Sequence, residues 1–490
     1  MRSSGILMHV SSLPGGHGIG SMGKQAYAFV DFLKSAGQRY WQILPLCPTG
    51  YGNSPYQCFS TFAGNHFLID LDLLVEEGLL HKEEIDTLDW GSDPARVDFS
   101  RICGQKLRVL RLAFGRYRDT GDQFARFRAE NDWWLPEYAL FMALKEQHGG
   151  SPWYTWEDDL KFREPKAIEE AFRTLDIQFY CFTQFLFFRQ WNSLHAYAAQ
   201  QGIRIIGDVP IYVPLDSADV WVNPEQFWLD ENLNPVAVAS CPPDAFTADG
   251  QLWGNPLYRL DKMAESGYQW WILRLRAAGR LYDVTRLDHF RGFESYWAVP
   301  YGDTTAKNGW WMPGAGAEFI RALQRELPDQ EFIAEDLGYL TEEVLALREI
   351  SGWPGMKVLQ FAFDSKEPSN YLPHTYEKNT VCYTGTHDNM TMRQWFDTTD
   401  PESLAFAREY MNLSEQEGYV WGTVRTAFAS VSDLCIVQMQ DLLDLGASAR
   451  MNLPGTLSDA NWTWRAEETD FTPELARRLK RLTELYARMG

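Results

Sequence analysis

Short apolar runs recur along the chain, each closing on polar residues, Gly or Pro. They are "GILMHVSSLP" (5–14), "YWQILPLCP" (40–48), "IRIIGDVPIYV" (203–213), "LYDVTRLDHF" (281–290), "EFIAEDLG" (331–338), "MKVLQFAF" (356–363), "TVCYTGTHDN" (380–389) and "ASARMNLPGT" (447–456). Several are nearly continuous in apolar residues, the pattern of strands buried on both faces of a parallel sheet. Helical periodicity lies between them. In "GKQAYAFVDFLKSAG" (23–37), Ala26, Phe29, Val30 and Leu33 share one face and Gly37 ends the run. "TEEVLALREISG" (341–352) opens on Thr341 as an N-cap with acids in its first turn and stops at Gly352. Eight strands alternating with helices predict an α/β fold, a (β/α)8 barrel.

Two intervals exceed a simple crossover, 49–202 and 213–280. The first ends in the helical stretch 182–202, expected to lead into the third strand; the rest predicts insertions around the barrel mouth, at about 49–181 and 214–270. With no internal repeat and no low-complexity linker, residues 1–490 are expected to form a single catalytic unit. A prior of roughly 150 residues per domain suggests about three domains, but a barrel with insertions absorbs such a length as one.

Composition narrows the partners. Lys+Arg total 45 and Asp+Glu 66, a formal charge of −21. A field of that sign repels phosphate backbones and anionic lipid, so neither nucleic acid nor membrane is an expected partner, whereas a neutral ligand is indifferent to it. No stretch approaches a membrane span, and the N-terminus shows no secretory pattern. Seven cysteines without a C-x-x-C pair fit reduced thiols in a cytoplasmic protein. The 20 Trp, 22 Tyr and 29 Phe are the outlier; most belong in a large core, but several sit in Gly/Pro-rich segments, where they suggest a flat, uncharged ligand surface.

The polar residues at strand ends carry the chemistry, because a barrel places its active site there. Asp208, Asp288, the Glu335–Asp336 pair and Asp388 all fall at such positions. In "RLDHFRGF" (286–293), strand alternation turns Arg286 and Asp288 to one face. A guanidinium that close favours an ionised carboxylate, which can act as a nucleophile. Glu335 has no basic residue within its strand and is suited to hold a proton as a general acid. It and Asp336 point to opposite faces, and composition does not say which enters the pocket. His387 and Asp388 in "TGTHDNM" lack metal-ligand spacing and fit recognition of oxygen better than a metal. "PTGYGNSPYQ" (48–57), carrying Tyr51 and Tyr56, lacks the lysine of a phosphate loop. "SCPPDAFTADGQLWGNP" (240–256), with Asp244, Phe246 and Trp253, predicts a long loop or lid.

Taken together, "GYGNSPYQ", "GDVPIYV", "RLDHFRGF", "AEDLG" and "GTHDN", in this order and spacing, resemble the 4-α-glucanotransferases of glycoside hydrolase family 77, relatives of the α-amylases. The likeness extends from "HVSSLPG" to "NLPGT" and "NW". It implies transfer of α-1,4-glucan segments between maltooligosaccharide donors and sugar acceptors, without metal or cofactor. By the same likeness Asp288 is the nucleophile, Glu335, chosen over Asp336, the acid/base, and Asp388 a third carboxylate gripping sugar hydroxyls. Arg286, His289 and His387 would line the donor site. Asp208 lies in the matching third-strand motif, Tyr56 would contact sugar near the cleavage point, and Asp244, Phe246 and Trp253 would lie in an active-site loop. Tyr51 would belong to a second glucan site. A retaining pair is expected about 5–5.5 Å apart. The rival readings are an α-amylase-type hydrolase and a non-catalytic glucan-binding protein.

Overall fold

A computed structural model describes residues 2–243, 248–338, 340–363 and 369–490. Twelve strands are present among them. In chain order they are β1 (Ser3–Leu7), β2 (Tyr40–Gln42), β3 (Arg204–Val209), β4 (Ala237–Cys241), β5 (Gln251–Pro256), β6 (Val284–Leu287), β7 (Ser295–Pro300), β8 (Trp310–Pro313), β9 (Glu331–Ala334), β10 (Gly355–Val358), β11 (Thr380–Tyr383) and β12 (Leu434–Gln438). Eight of them form one sheet in the order β10-β11-β12-β1-β2-β3-β6-β9, and every pairing in it is parallel. Ala334 donates its N–H to Pro354 O at 2.9 Å, drawing the two edges together. The sheet curls into a (β/α)8 barrel.

Strand alternation sorts the apolar residues into two cores. Leu7, Ile206, Val284, Ile333, Val381 and Ile436 fill the barrel interior. Their odd-even neighbours Ile6, Ile205, Phe332, Cys382 and Cys435 face outward into the main core beneath the helices. Both faces of each strand are therefore dry, which is why these strands read as unbroken apolar runs. The helix Lys24–Ser35 buries the expected stripe of Ala26, Phe29, Val30 and Leu33. Thr341 caps the helix Glu342–Ser351 by accepting from Val344 N, and Gly352 closes it at φ 68°.

Seven of the eight expected strands overlap a barrel strand. The eighth does not. Residues 447–456 contain only a 3-10 turn, Ala447–Ala449, and the final strand is β12. "LCIVQ" is short, but it is β-branched and apolar, and each residue pairs in register with β1 from Ser3↔Leu434 to Leu7↔Gln438. The stretch 447–456 has no β-branched residue before Thr456 and a Pro-Gly pair that favours a turn.

The long interval after β2 holds the helices Phe99–Arg116, Leu135–Gln147 and Ile177–Gln200. Phe114, Tyr117, Phe124, Phe182 and Phe185 interlock there at ring separations of 5.0–6.3 Å. Much of the aromatic excess is thus core. A second, antiparallel sheet, ordered β5-β4-β7-β8, stands beside the barrel. It corrects the reading of 240–256 as an extended loop: both ends of that segment are strands, and β4 is held by β7, a partner too distant in sequence for local composition to reveal. None of the seven cysteines forms a disulfide among the described residues. Among the described residues no helix is long and apolar enough to cross a membrane.

Candidate active site

The site begins with register. Asp208 on β3 lies directly across from Arg286 on β6, and both side chains point into the barrel above the Ile206–Val284 layer. Arg286 Nη1 donates to Asp208 Oδ2 at 2.6 Å and to Asp288 Oδ1 at 2.9 Å. The guanidinium is 4% exposed, Asp208 not at all, and Asp288 28%. Burial alone would lower the Arg286 pKa, but the acids Asp208 and Asp288 more than reverse this and keep it charged. Burial pushes the Asp208 carboxyl upward, opposed by Arg286. Tyr56 adds a hydroxyl donor to Asp208 Oδ2 at 2.7 Å. One buried cation therefore holds the partly open Asp288 against the strand end.

Glu335 follows β9 in phase with inward-facing Ile333. Its carboxylate accepts His289 N at 2.7 Å and Leu337 N at 2.9 Å. Burial, foremost, and the charge of Asp288 raise its pKa to about 8, against the pull of Arg286 and the two N–H donors. The residue nonetheless keeps partial exposure. Asp336 turns the other way: it is buried, accepts Arg348 Nη1 at 2.8 Å and Met356 N at 2.7 Å, and fills space beside Gly355 where a Cβ would lie 2.3 Å from it. Of the pair, only Glu335 faces Asp288. His289, between them in the chain, adopts φ 51°, ψ 51°, a left-handed conformation uncommon for a non-glycine residue. The bend carries the chain off β6 so that His289 N meets Glu335. Burial lowers the His289 pKa to about 4, leaving a neutral ring.

Asp388 lies on the opposite flank. Its pKa falls to about 2: burial would raise it, but His387, at 3.3 Å, and a 2.7 Å hydrogen bond from Asn452 Nδ2 outweigh that. The side chain is 43% exposed and available to a ligand. His387 stacks on Tyr56 at 5.0 Å and 18°, with Trp462 behind both. Arg450 Nη2 donates to Asp388 O at 2.8 Å and Asn452 N to His387 O at 3.1 Å. These two residues belong to the segment expected to be a strand; it is instead a clamp on the His387–Asp388 loop. Arg450, Asn452 and Trp462 were not among the expected site residues, although "NLPGT" and "NW" belong to the motifs that carry the resemblance. No group of three or more His, Cys, Asp or Glu among the described residues is placed to hold a metal ion.

On the Glu335 side, Trp253 of β5 meets His289 edge-on at 4.9 Å and lies 6.3 Å from Tyr212. Asp244 and Phe246 fall outside the described residues, as does the side chain of Tyr51.

A parallel (β/α)8 barrel whose C-terminal rim gathers Asp288, Glu335 and Asp388 between aromatic walls defines a carbohydrate-active enzyme. Its family follows from comparison. The model of the 4-alpha-glucanotransferases, glycoside hydrolase family 77, matches residues 8–470. A 4-alpha-glucanotransferase from Clostridium butyricum is 48% identical over 98% of this chain and 100% of its own. One from Thermus thermophilus is 46% identical over 100% and 99%. The solved amylomaltase from Streptococcus agalactiae, in complex with acarbose, superposes with a TM-score of 0.97 at 42% identity, covering 100% of both chains. The chain belongs to glycoside hydrolase family 77 and is an enzyme of the 4-alpha-glucanotransferase class.

Proposed function

We propose that this enzyme moves α-1,4-glucan segments between maltooligosaccharides by a retaining double displacement. Glu335 gives its proton to the glycosidic oxygen as an Asp288 oxygen attacks the anomeric carbon; the carbon–oxygen bond breaks and the leaving chain departs as an alcohol. The 4-hydroxyl of an acceptor sugar then attacks the glucanyl-aspartate, Glu335 takes its proton, and Asp288 is released as carboxylate. One observation carries this assignment: two neighbouring carboxyls in opposite situations, Asp288 held by Arg286 at 2.9 Å and Glu335 raised to about 8.

The electrostatics suit both halves of the cycle. Part of the upward push on Glu335 comes from the charge of Asp288. Esterification removes that charge, so the Glu335 pKa falls when it must turn from acid to base. Asp388, His387, Tyr56 and Arg286 would grip the donor sugar, with His289 and Trp253, and with Asp244 and Phe246 on the segment between β4 and β5. The aromatic walls would favour a sugar acceptor over water. The unit would be a single barrel with insertions at about 49–181 and 214–270, working in the cytoplasm on neutral glucans.

Incubation with maltotriose tests the reading. Transfer yields glucose plus oligosaccharides longer than the substrate; hydrolysis yields shorter sugars alone and would overturn it.

A further inference from the structure

One side chain fixes the His387–Asp388 loop at both of its ends. Asp441 lies on the short helix Met439–Leu442 that follows β12. Its Oδ2 accepts the Thr384 hydroxyl at 2.6 Å, and its Oδ1 accepts Met392 N at 2.7 Å. Thr384 is the first residue beyond β11, and Met392 opens the helix Met392–Thr398. Residues 385–391, which carry His387 and Asp388, therefore hang between two anchors on a single carboxylate. The anchorage is dry: Thr384, Met392 and Asp441 are each 0% exposed.

Other contacts shape the loop from within. Asn389 Oδ1 accepts Thr386 N at 2.8 Å and the Thr386 hydroxyl at 2.9 Å, and Gln360 Nε2 donates to Met390 O at 2.8 Å. Gly385 leaves no room for a side chain, since a Cβ there would lie 2.6 Å from Gln438 Nε2 and 3.2 Å from Asn389 Cβ. These contacts set the loop's form, whereas Asp441 sets where it stands relative to the barrel.

A carboxylate is an unfavourable choice for filling space here. Burial pushes the Asp441 carboxyl up to about 6; the bonds from Thr384 and Met392 oppose this, and the charge of Asp444 adds to it. Both donors are neutral, and a charge buried in neutral company is costly to hold. An apolar side chain would fill the space at lower free energy, but it would not join donors from opposite ends of a loop.

We infer that Asp441 is a positioning residue for transfer: by tying the end of β11 to the start of the helix Met392–Thr398, it holds Asp388 where its carboxylate meets the donor sugar. The inference rests on the reading of Asp388 as a participant in transfer and names the residue that places it. Asp441 itself, wholly enclosed, touches no substrate.

The test is a double-mutant cycle on kcat/KM for transfer from maltotriose. Asp441→Ala is expected to lower it about tenfold in the parent, but by less than about twofold in Asp388→Asn, where the carboxylate to be placed is gone. A merely structural defect would lower both by the same factor. Asp441→Asn should recover most of the loss, because its amide oxygen accepts Met392 N while its NH2 donates to the Thr384 oxygen. Should Asp441→Ala not fold, Thr384→Val deletes one of the two ties and is taken through the same cycle with the same expected pattern. An equal factor in both backgrounds, full activity of Asp441→Ala, or an Asp441→Asn variant no better than Asp441→Ala overturns the inference. Asp388→Asn alone separates it from the reading beneath it. Parent-level transfer in that variant removes Asp388 from the reaction, whereas a large fall without coupling to Asp441 sinks the positioning role alone.

Discussion

Arg286 and Asp208 occupy the same level of neighbouring parallel strands, β6 and β3, and their side chains meet inside the barrel at 2.6 Å. The pair is almost wholly shielded from water, and the remaining reach of the same Arg286 nitrogen goes to Asp288, one step beyond the strand end. A structural ion pair within the barrel therefore sets the position of the residue assigned as nucleophile. The arrangement separates support from chemistry: Asp208 is enclosed, Asp288 is open.

Asp288→Asn is expected to lower glucan transfer by more than about a thousandfold while leaving the fold intact. Arg286 keeps its second partner in Asp208, so thermal unfolding should change little. Residual transfer within tenfold of the parent contradicts the assignment.

Asp208→Ala removes the enclosed partner. Breaking a buried pair from one side typically costs about 3–5 kcal/mol, and the lower end applies because Asp288 still contacts Arg286. Urea denaturation should show this loss, together with reduced kcat, since both Arg286 and the Tyr56 hydroxyl lose their anchor. An unchanged midpoint refutes the structural role.

Glu335 predicts two pH effects of one sign. As an acid it must carry its proton, so kcat/KM should fall as pH rises through about 8. For stability, the folded state holds this proton more tightly than the unfolded chain, whose value is near 4.5. Its contribution is thus fully present below about pH 4.5 and is lost as pH rises through about 8. Glu335→Gln, neutral at all pH, should gain thermal stability over the parent at about pH 8.5 and little at about pH 4.5. A stability difference independent of pH contradicts the raised pKa.

Asn452→Ala removes the 2.7 Å hydrogen bond to Asp388. A bond to a charged group contributes on the order of 1.5–3 kcal/mol, so transfer should fall by about tenfold or more. Because the donor is on the rim, unfolding should shift by less than about 1 kcal/mol. Full activity in this variant removes the clamp from the account.

The barrel is legible in the chain because strands dry on both faces leave unbroken apolar runs. β12 is missed because five residues carry little weight beside the longer, turn-rich segment 447–456. The antiparallel sheet escapes because β4 and β7 are paired across the 53 residues of chain from 242 to 294 rather than by a local hairpin. Alternation shows in the sequence only that Glu335 and Asp336 oppose each other; which one faces inward follows from the structure, where Ile333, two residues before Glu335, belongs to the interior layer and Phe332 to the outer one. Arg450 and Asn452 were not legible, since what they do depends on a contact with residues 387–388 that no periodicity encodes.

The most direct measurement is intact-protein and peptide mass spectrometry of Glu335→Gln after exposure to an α-glucosyl fluoride. Fluoride departs without a proton from Glu335, so the first displacement proceeds, while the second lacks its base. The account predicts a protein heavier by one glucosyl group, with the added mass on the peptide containing Asp288. An adduct on any other residue, or continued donor consumption with no adduct, contradicts it.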